Sequence, residues 1–241
     1  MSNPAQGRSS RHTVSKAGEV FAGNLSHFGH NSGRSGAPLD NAVLRFITVG
    51  VPVKGAATLM AAASVTAATG ATINKTAGVG TMHGGILLGR KIQVTSSGND
   101  SANVMTISGA DGSGRPQKEQ LTLANAGVVT SNKGWSYIVS VKVSADTAGT
   151  ISIGTVDIFE PPYHLIMKSQ ISEVKVGDTA VATIAGKLTV GVTAAQTGTN
   201  GSPKGLIDLS ASSLSDLDVL TIDMMVFRGD NEEGFGNAAW E

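Results

Sequence analysis

The chain of 241 residues contains no cysteine. That absence excludes thiolate catalysis, disulfide staples and cysteine-ligated zinc or iron–sulfur centres. Aromatic residues are scarce, with six Phe, two Trp and two Tyr, so neither a base-stacking platform nor an aromatic glycan-binding surface is expected. Net charge is missing too: 18 basic side chains balance 18 acidic ones, and no basic stripe marks a polyanion-binding face. No run approaches the roughly 20 apolar residues of a membrane helix. The opening MSNPAQGRSSRHTVSKAGEV carries no apolar stretch, so no secretory signal is expected.

What is present is glycine and small aliphatics. The 31 Gly are nearly twice the usage of about 7%, without the Gly-X-Y period of collagen. Hydrophobic residues make up 40% of the chain, enough for a core built largely from Ala and Val. The first 40 residues hold few apolar side chains and keep neither helical nor strand period, so they cannot bury enough area to offset their ordering entropy. Residues 1–40 read either as a disordered terminus or as an extended, mildly basic arm that orders only against a neighbouring subunit, with Phe21, Leu25 and Phe28 as its partner-binding anchors.

From residue 41 the pattern turns to strands. NAVLRFITV places Val43, Arg45, Ile47 and Val49 on one face and Leu44, Phe46 and Thr48 on the other. TLMAAASVTAATGATI reads as a strand running into a turn at Gly70, and GVGTMHG (78–84) as a flexible loop. KIQVTS, NVMTISGAD, QKEQLTLA and GVVTS follow as short strands separated by Ser-Gly-Asn-Asp and Asp-Gly-Ser-Gly turns. WSYIVSVKVSAD alternates so well that Tyr137, Val139, Val141 and Val143 are expected on one face. TISIGT reads as the next strand, and in VDIFEPPYHLI, which follows, Pro161-Pro162 excludes both helix and central strand. SEVKVG, TAVATIAGKLTVGVTAA, GLIDLS and VLTIDMMVF complete the series. Turns recurring every 8–12 residues or so are the spacing of a sandwich or barrel. The expected fold is all-β, a jelly-roll or Greek-key sandwich over 41–229, with the arm before it and an acidic tail, 230–241, after it.

Site chemistry is sparse. His12, His27 and His30 lie in the polar arm, where a three-residue spacing holds a metal only if a turn forms. His83 sits in a Gly loop, and His164 follows Pro-Pro-Tyr. There is no G-x-S-x-G elbow, no phosphate loop and no calcium-loop run of acids. Asp216 and Asp218 share a face if extended and could in principle form a dyad, though a polar connection before the strand at 219–228 explains them better. No catalytic residue, metal or cofactor is expected.

The middle of the chain resembles a pattern found in virion proteins of tailed bacteriophages. The residues that carry the resemblance are Gly89-Arg90, Val94-Thr95-Ser96-Ser97-Gly98, Ser108-Gly109-Ala110-Asp111 and Glu119-Gln120-Leu121-Thr122-Leu123. Gly149-Thr150-Ile151-Ser152-Ile153-Gly154-Thr155 and Asp157 continue it, and the closing GLIDLSASSLSDLDVLTIDMMVF is similar as well. It spans about residues 85–228, in order. The resemblance implies a non-enzymatic capsid decoration or cement protein on the capsid exterior, assembled in a bacterial cytoplasm. Its implied partners are the major capsid protein and further copies of itself, since such proteins are frequently trimers, with no direct nucleic acid and no membrane. A head–tail connector or tail component is the alternative within the virion. A glycan-binding or glycan-degrading sandwich is a more distant one.

Overall fold

The computed structural model describes residues 20–22, 41–49, 54–73, 88–191, 202–212, 214 and 218–227. Their strands are β1 (Val20–Ala22), β2 (Asn41–Val49), β3 (Gly55–Ala63), β4 (Gly89–Ser96), β5 (Val104–Ala110), β6 (Pro116–Thr122) and β7 (Val128–Thr130), then β8 (Tyr137–Val143), β9 (Ile151–Glu160), β10 (Ile171–Val176), β11 (Thr179–Ala180), β12 (Leu188–Thr189), β13 (Leu206–Asp208) and β14 (Val219–Phe227). The helical pieces among the described residues are two 3-10 turns, Lys168–Gln170 and Ile184–Lys187. The fold is the all-β sandwich expected, and its antiparallel sheets include a curled half-barrel.

Three sheets share the work. One runs β1-β2-β14-β10-β11, a second runs β12-β13-β9-β4-β7 with β3 also on β9, and the third is β6-β5-β8. In the first, β2 and β14 pair without interruption from Asn41↔Phe227 to Val49↔Val219. Alternation turns Phe46 into the core and leaves Arg45 outside. There Arg45 grips its cross-strand neighbour Asp223 with two hydrogen bonds, Nε to Oδ1 at 2.7 Å and a terminal nitrogen to Oδ2 at 2.6 Å.

Apolar side chains separate into two cores. The first gathers Phe46, Leu88, Phe159, Leu165, Ile171, Leu220, Ile222 and Met224 among others. The second gathers Leu59, Ile92, Val94, Met105, Ile107, Trp135, Val141, Ile151 and Ile153 among others. β9 runs through both, giving Ile151 and Ile153 to the second core and Phe159 to the first; its partner β4 gives Ile92 and Val94 to the second, and Leu88, just before β4, lies in the first. It stops at Glu160, where Pro161 removes the next ladder donor.

Two expectations are corrected. Tyr137, Val139, Val141 and Val143 do not share a face. The β5–β8 register steps from Ser108↔Ser140 to Gly109↔Ile138, so Val139 is an extra, unpaired residue. Such a bulge inverts the inward set on one side of it. Ile138, Val141 and Val143 are buried, while Tyr137 and Val139 face out. The second correction concerns TAVATIAGKLTVGVTAA, which is not one strand. Thr183 takes a left-handed conformation, φ 54°, that no strand accommodates, and among its described residues only Thr179–Ala180 and Leu188–Thr189 pair, either side of a 3-10 turn. Within the expected arm, Val20–Ala22 adds to β2, with Phe21 opposite Arg45.

Candidate functional site: a buried polar layer between the cores

The residues that interrupt the apolar faces of β4 and β9 are charged. Arg90 precedes Ile92 and Val94 on the inward face of β4, and Asp157 and Glu160 lie between Ile153 and the end of β9; Arg90, Asp157 and Glu160 are fully buried. The β4–β9 register slips between Arg90↔Phe159 and Ile92↔Thr155, a bulge over 156–158 that directs Asp157 onto the Arg90 guanidinium. Arg90 also donates from Nε to the Val156 carbonyl at 3.0 Å and lies over the Phe159 ring, 5.5 Å from its centroid. Burial lowers the pKa of Arg90, and Asp157 opposes that. Lys54 approaches the other Asp157 oxygen from outside at 3.2 Å and donates to the Ser210 carbonyl at 3.0 Å.

Glu160 forms the next part. Its Oε2 accepts from the Gly134 N–H at 3.0 Å and lies 2.5 Å from the Ser202 hydroxyl. Burial pushes its pKa up to about 7 against Lys204, Gly134 and Ser202, which favour the charged form, while Asp111 adds to the rise. Glycine is required here, because a Cβ on Gly134 would come within 2.3 Å of the Glu160 Cβ. Beside it Lys204 Nζ pairs with Asp111 and donates to the Ser113 hydroxyl at 2.9 Å. Asp111 Oδ1 in turn accepts from the N–H groups of Ser113 and Arg115, at 2.8 and 2.9 Å.

A third part lies under β6. The two oxygens of Glu119 accept from the N–H groups of Asn132 and Lys133, at 2.5 and 3.2 Å. Burial raises the pKa of Glu119, with those two N–H groups opposing. Burial lowers that of Lys133, whose Nζ donates to the Lys118 carbonyl at 2.9 Å. The layer thus ties together β4, β6, β9, the turn at 111–115, the loop at 131–136 and the segment 202–205.

Chemically these groups face one another. Ser202 and Lys204 are a nucleophile and a base by type, but the hydroxyl is directed at Glu160 and the ammonium at Asp111 and Ser113. All five of Ser202, Lys204, Glu160, Asp111 and Arg90 are buried. Among the described residues one groove of about 490 Å³ is lined by Val176, Val181, Lys187 and Ser212 among others, apart from this layer. The arrangement positions strands and loops.

Of the residues singled out from sequence, Phe21 lies in β1, while Leu25 and Phe28 lie outside the described residues. So do His12, His27, His30, His83 and Asp216. His164 is buried, its ring flanking Gly191, and Asp218 stands just before β14. The residues that mattered were overlooked as a group, although Arg90, Asp111, Glu119 and Asp157 all belong to the motifs quoted above. A second pair of motif residues also meets: Gly98 and Gly149 come so close that a Cβ on Gly98 would lie 2.6 Å from the Gly149 nitrogen. Comparison of the chain with family models, with characterised proteins and with solved structures returned no match.

Proposed function

We propose that the protein is a structural component of a tailed-bacteriophage virion, a decoration or cement protein on the capsid exterior. In this reading it binds the major capsid protein and further copies of itself as a homo-oligomer, and acts by assembly without catalysing a reaction. The observation that carries the reading is the placement of chemistry in the described residues. Their buried charges are committed to one another between two cores, while the surface offers sheet edges and small apolar side chains. Val128 on β7 and Tyr137 and Val139 on β8 stand exposed, turned outward by the β8 bulge in the latter two. The ordered motifs over 85–228 support the same reading.

The mechanism is association through extended area. A segment that orders on binding exchanges chain entropy for contacts, and here that role falls to residues 1–40, with Phe21, Leu25 and Phe28 as anchors. Exposed edges allow strand addition between subunits, and symmetry multiplies weak contacts by avidity. Deleting residues 1–38 removes β1 but leaves β2 fully paired to β14. The truncated protein is expected to keep the circular dichroism of a folded β-domain and to lose binding to capsids. Decoration at wild-type occupancy by the truncated protein would overturn the role of the arm. A copy count in purified particles tests location: hundreds agree with decoration, whereas about six or twelve, the numbers of a symmetric ring, indicate a connector.

A further inference from the structure

Lys204 and Asp111 come from distant parts of the chain. Asp111 follows β5, and Lys204 lies in the segment before β13. They meet as a buried pair, Nζ against Oδ2, and the carboxyl carbon is one bond beyond that oxygen. Their surroundings are those of a condensation site. The other oxygen of Asp111, Oδ1, accepts from two backbone N–H groups, those of Ser113 and Arg115, at 2.8 and 2.9 Å. Two such donors on one oxygen stabilise the negative charge that develops when a carboxyl carbon is attacked. The Ser113 hydroxyl accepts from Nζ at 2.9 Å and donates to the Pro162 carbonyl at 3.0 Å, which aims the amine. Glu160 lies alongside through Ser202, whose hydroxyl is 2.5 Å from Oε2 and accepts from the Lys204 backbone N–H at 3.2 Å. Glu160 Oε1 is buried and has no hydrogen-bond partner among the described residues, so a proton held there is not committed elsewhere. Burial raises the pKa of Glu160 to about 7, against the nearby charge of Lys204, and a carboxyl so placed gives and takes protons at neutral pH.

We propose that Lys204 and Asp111 condense to an intramolecular isopeptide bond, with Glu160 carrying the proton. One ammonium proton passes to the carboxylate, which leaves a neutral amine facing a neutral acid. The Nζ lone pair attacks Cγ, and the C=O electron pair moves onto Oδ1, held by the Ser113 and Arg115 N–H groups. Collapse restores the C=O and breaks the Cγ–Oδ2 bond. Glu160 gives a proton to the departing Oδ2 and recovers one from Nζ. An ammonium and a carboxylate become one secondary amide and one water, without any change of oxidation state. The fold supplies the reason for the reaction. It holds the two groups in contact, keeps bulk water out, and has already desolvated two charges that a neutral amide replaces. The bond links residues 93 positions apart. It thereby ties the turn after β5, in the β6-β5-β8 sheet, to the segment leading into β13, in the sheet that contains β9. It is a single change within the chain, acts on no outside substrate and does not depend on the virion reading.

Mass spectrometry of the purified full chain tests it. The wild type is expected to weigh one water less than its sequence, and Lys204→Arg and Asp111→Ala to carry the full sequence mass. Trypsin should release from the wild type a branched peptide joining residues 92–118 to 188–228, because a condensed Lys204 is not cleaved and Arg115 precedes proline. Glu160→Gln, which keeps the shape of the side chain, should show wild-type circular dichroism and slow bond formation about a hundredfold or more. Full sequence mass in the folded wild type would overturn the proposal. So would a water lost only within an unbranched 92–118 peptide, which is a succinimide at Asp111-Gly112. Glu160→Gln protein that condenses as fast as the wild type would overturn the part given to Glu160. The decisive reading is taken on the wild type, so it stands whether or not each variant folds.

Discussion

The two cores are made from differently arranged sequence. The second is assembled largely from consecutive antiparallel pieces between residues 59 and 153, in which β5 pairs with both β6 and β8. The first joins the ends of the described chain: its residues run from Phe46 to Met224, and its sheet depends on β2 meeting β14 across a separation of 178 residues at Arg45 and Asp223. Local pairings close short loops, whereas distant ones must first meet a larger entropic cost. The comparison teaches that the first core needs a platform, and β9, paired along its length with β4, supplies it by running through both. The charged layer sits at that junction. It fixes the register of β4 on β9, because a slip of one residue would bury Arg90 away from Asp157.

The largest effect should come from breaking the layer. Asp157→Ala removes the buried carboxylate that neutralises Arg90 and should destabilise the protein by about 3–5 kcal/mol in chemical denaturation. Arg90→Met combined with Asp157→Leu should recover most of that loss. If the double variant is no more stable than Asp157→Ala, packing rather than charge explains the junction.

A smaller effect is expected from pH. The folded-state pKa of Glu160, about 7, lies above its ordinary 4.5, so between these values the folded protein holds a proton that the unfolded chain has released. The unfolded state binds fewer protons there, and stability falls as pH rises through that window, by roughly 3 kcal/mol in total. Glu119, raised by burial as well, acts with the same sign. Glu160→Gln should flatten the pH 4.5–7 slope of the unfolding free energy. A slope unchanged by that substitution would assign the dependence to other groups.

The smallest effect sharpens the account within one strand. Val141→Thr puts a hydroxyl into the second core and should cost about 1–3 kcal/mol, whereas Val139→Thr, on the outside of the bulge, should stay within about 0.5 kcal/mol. Equal costs would mean that the two side chains share a face after all.

Much of the fold was readable in the sequence because its strands alternate. Ile92 and Val94 point inward in β4 as their spacing requires, and Pro161-Pro162 ends β9 where it must. The β8 bulge was not readable, since one unpaired residue leaves the local pattern intact and appears only in the register against β5. The break at Thr183 was hidden too, since a β-branched residue seldom takes positive φ. The polar layer left a usable signal. Arg90 lies at i−2 and i−4 from Ile92 and Val94, so alternation alone places a guanidinium on a buried face, where it demands a carboxylate. Finding which carboxylate required the pairing of β4 with β9, 67 residues along the chain.

The central claim is that the charged layer makes two cores one cooperative unit. It is tested by following equilibrium denaturation of the Trp240→Phe protein at two sites at once. Trp135 fluorescence reports the second core, and the methyl NMR signals of Leu220 and Ile222 report the first. Coincident transitions are predicted with the layer intact, and separate ones, with the first core melting earlier, once Asp157 is replaced by Ala. Two separate transitions in the protein with an intact layer, or coincident ones in the Asp157→Ala variant, would contradict the account.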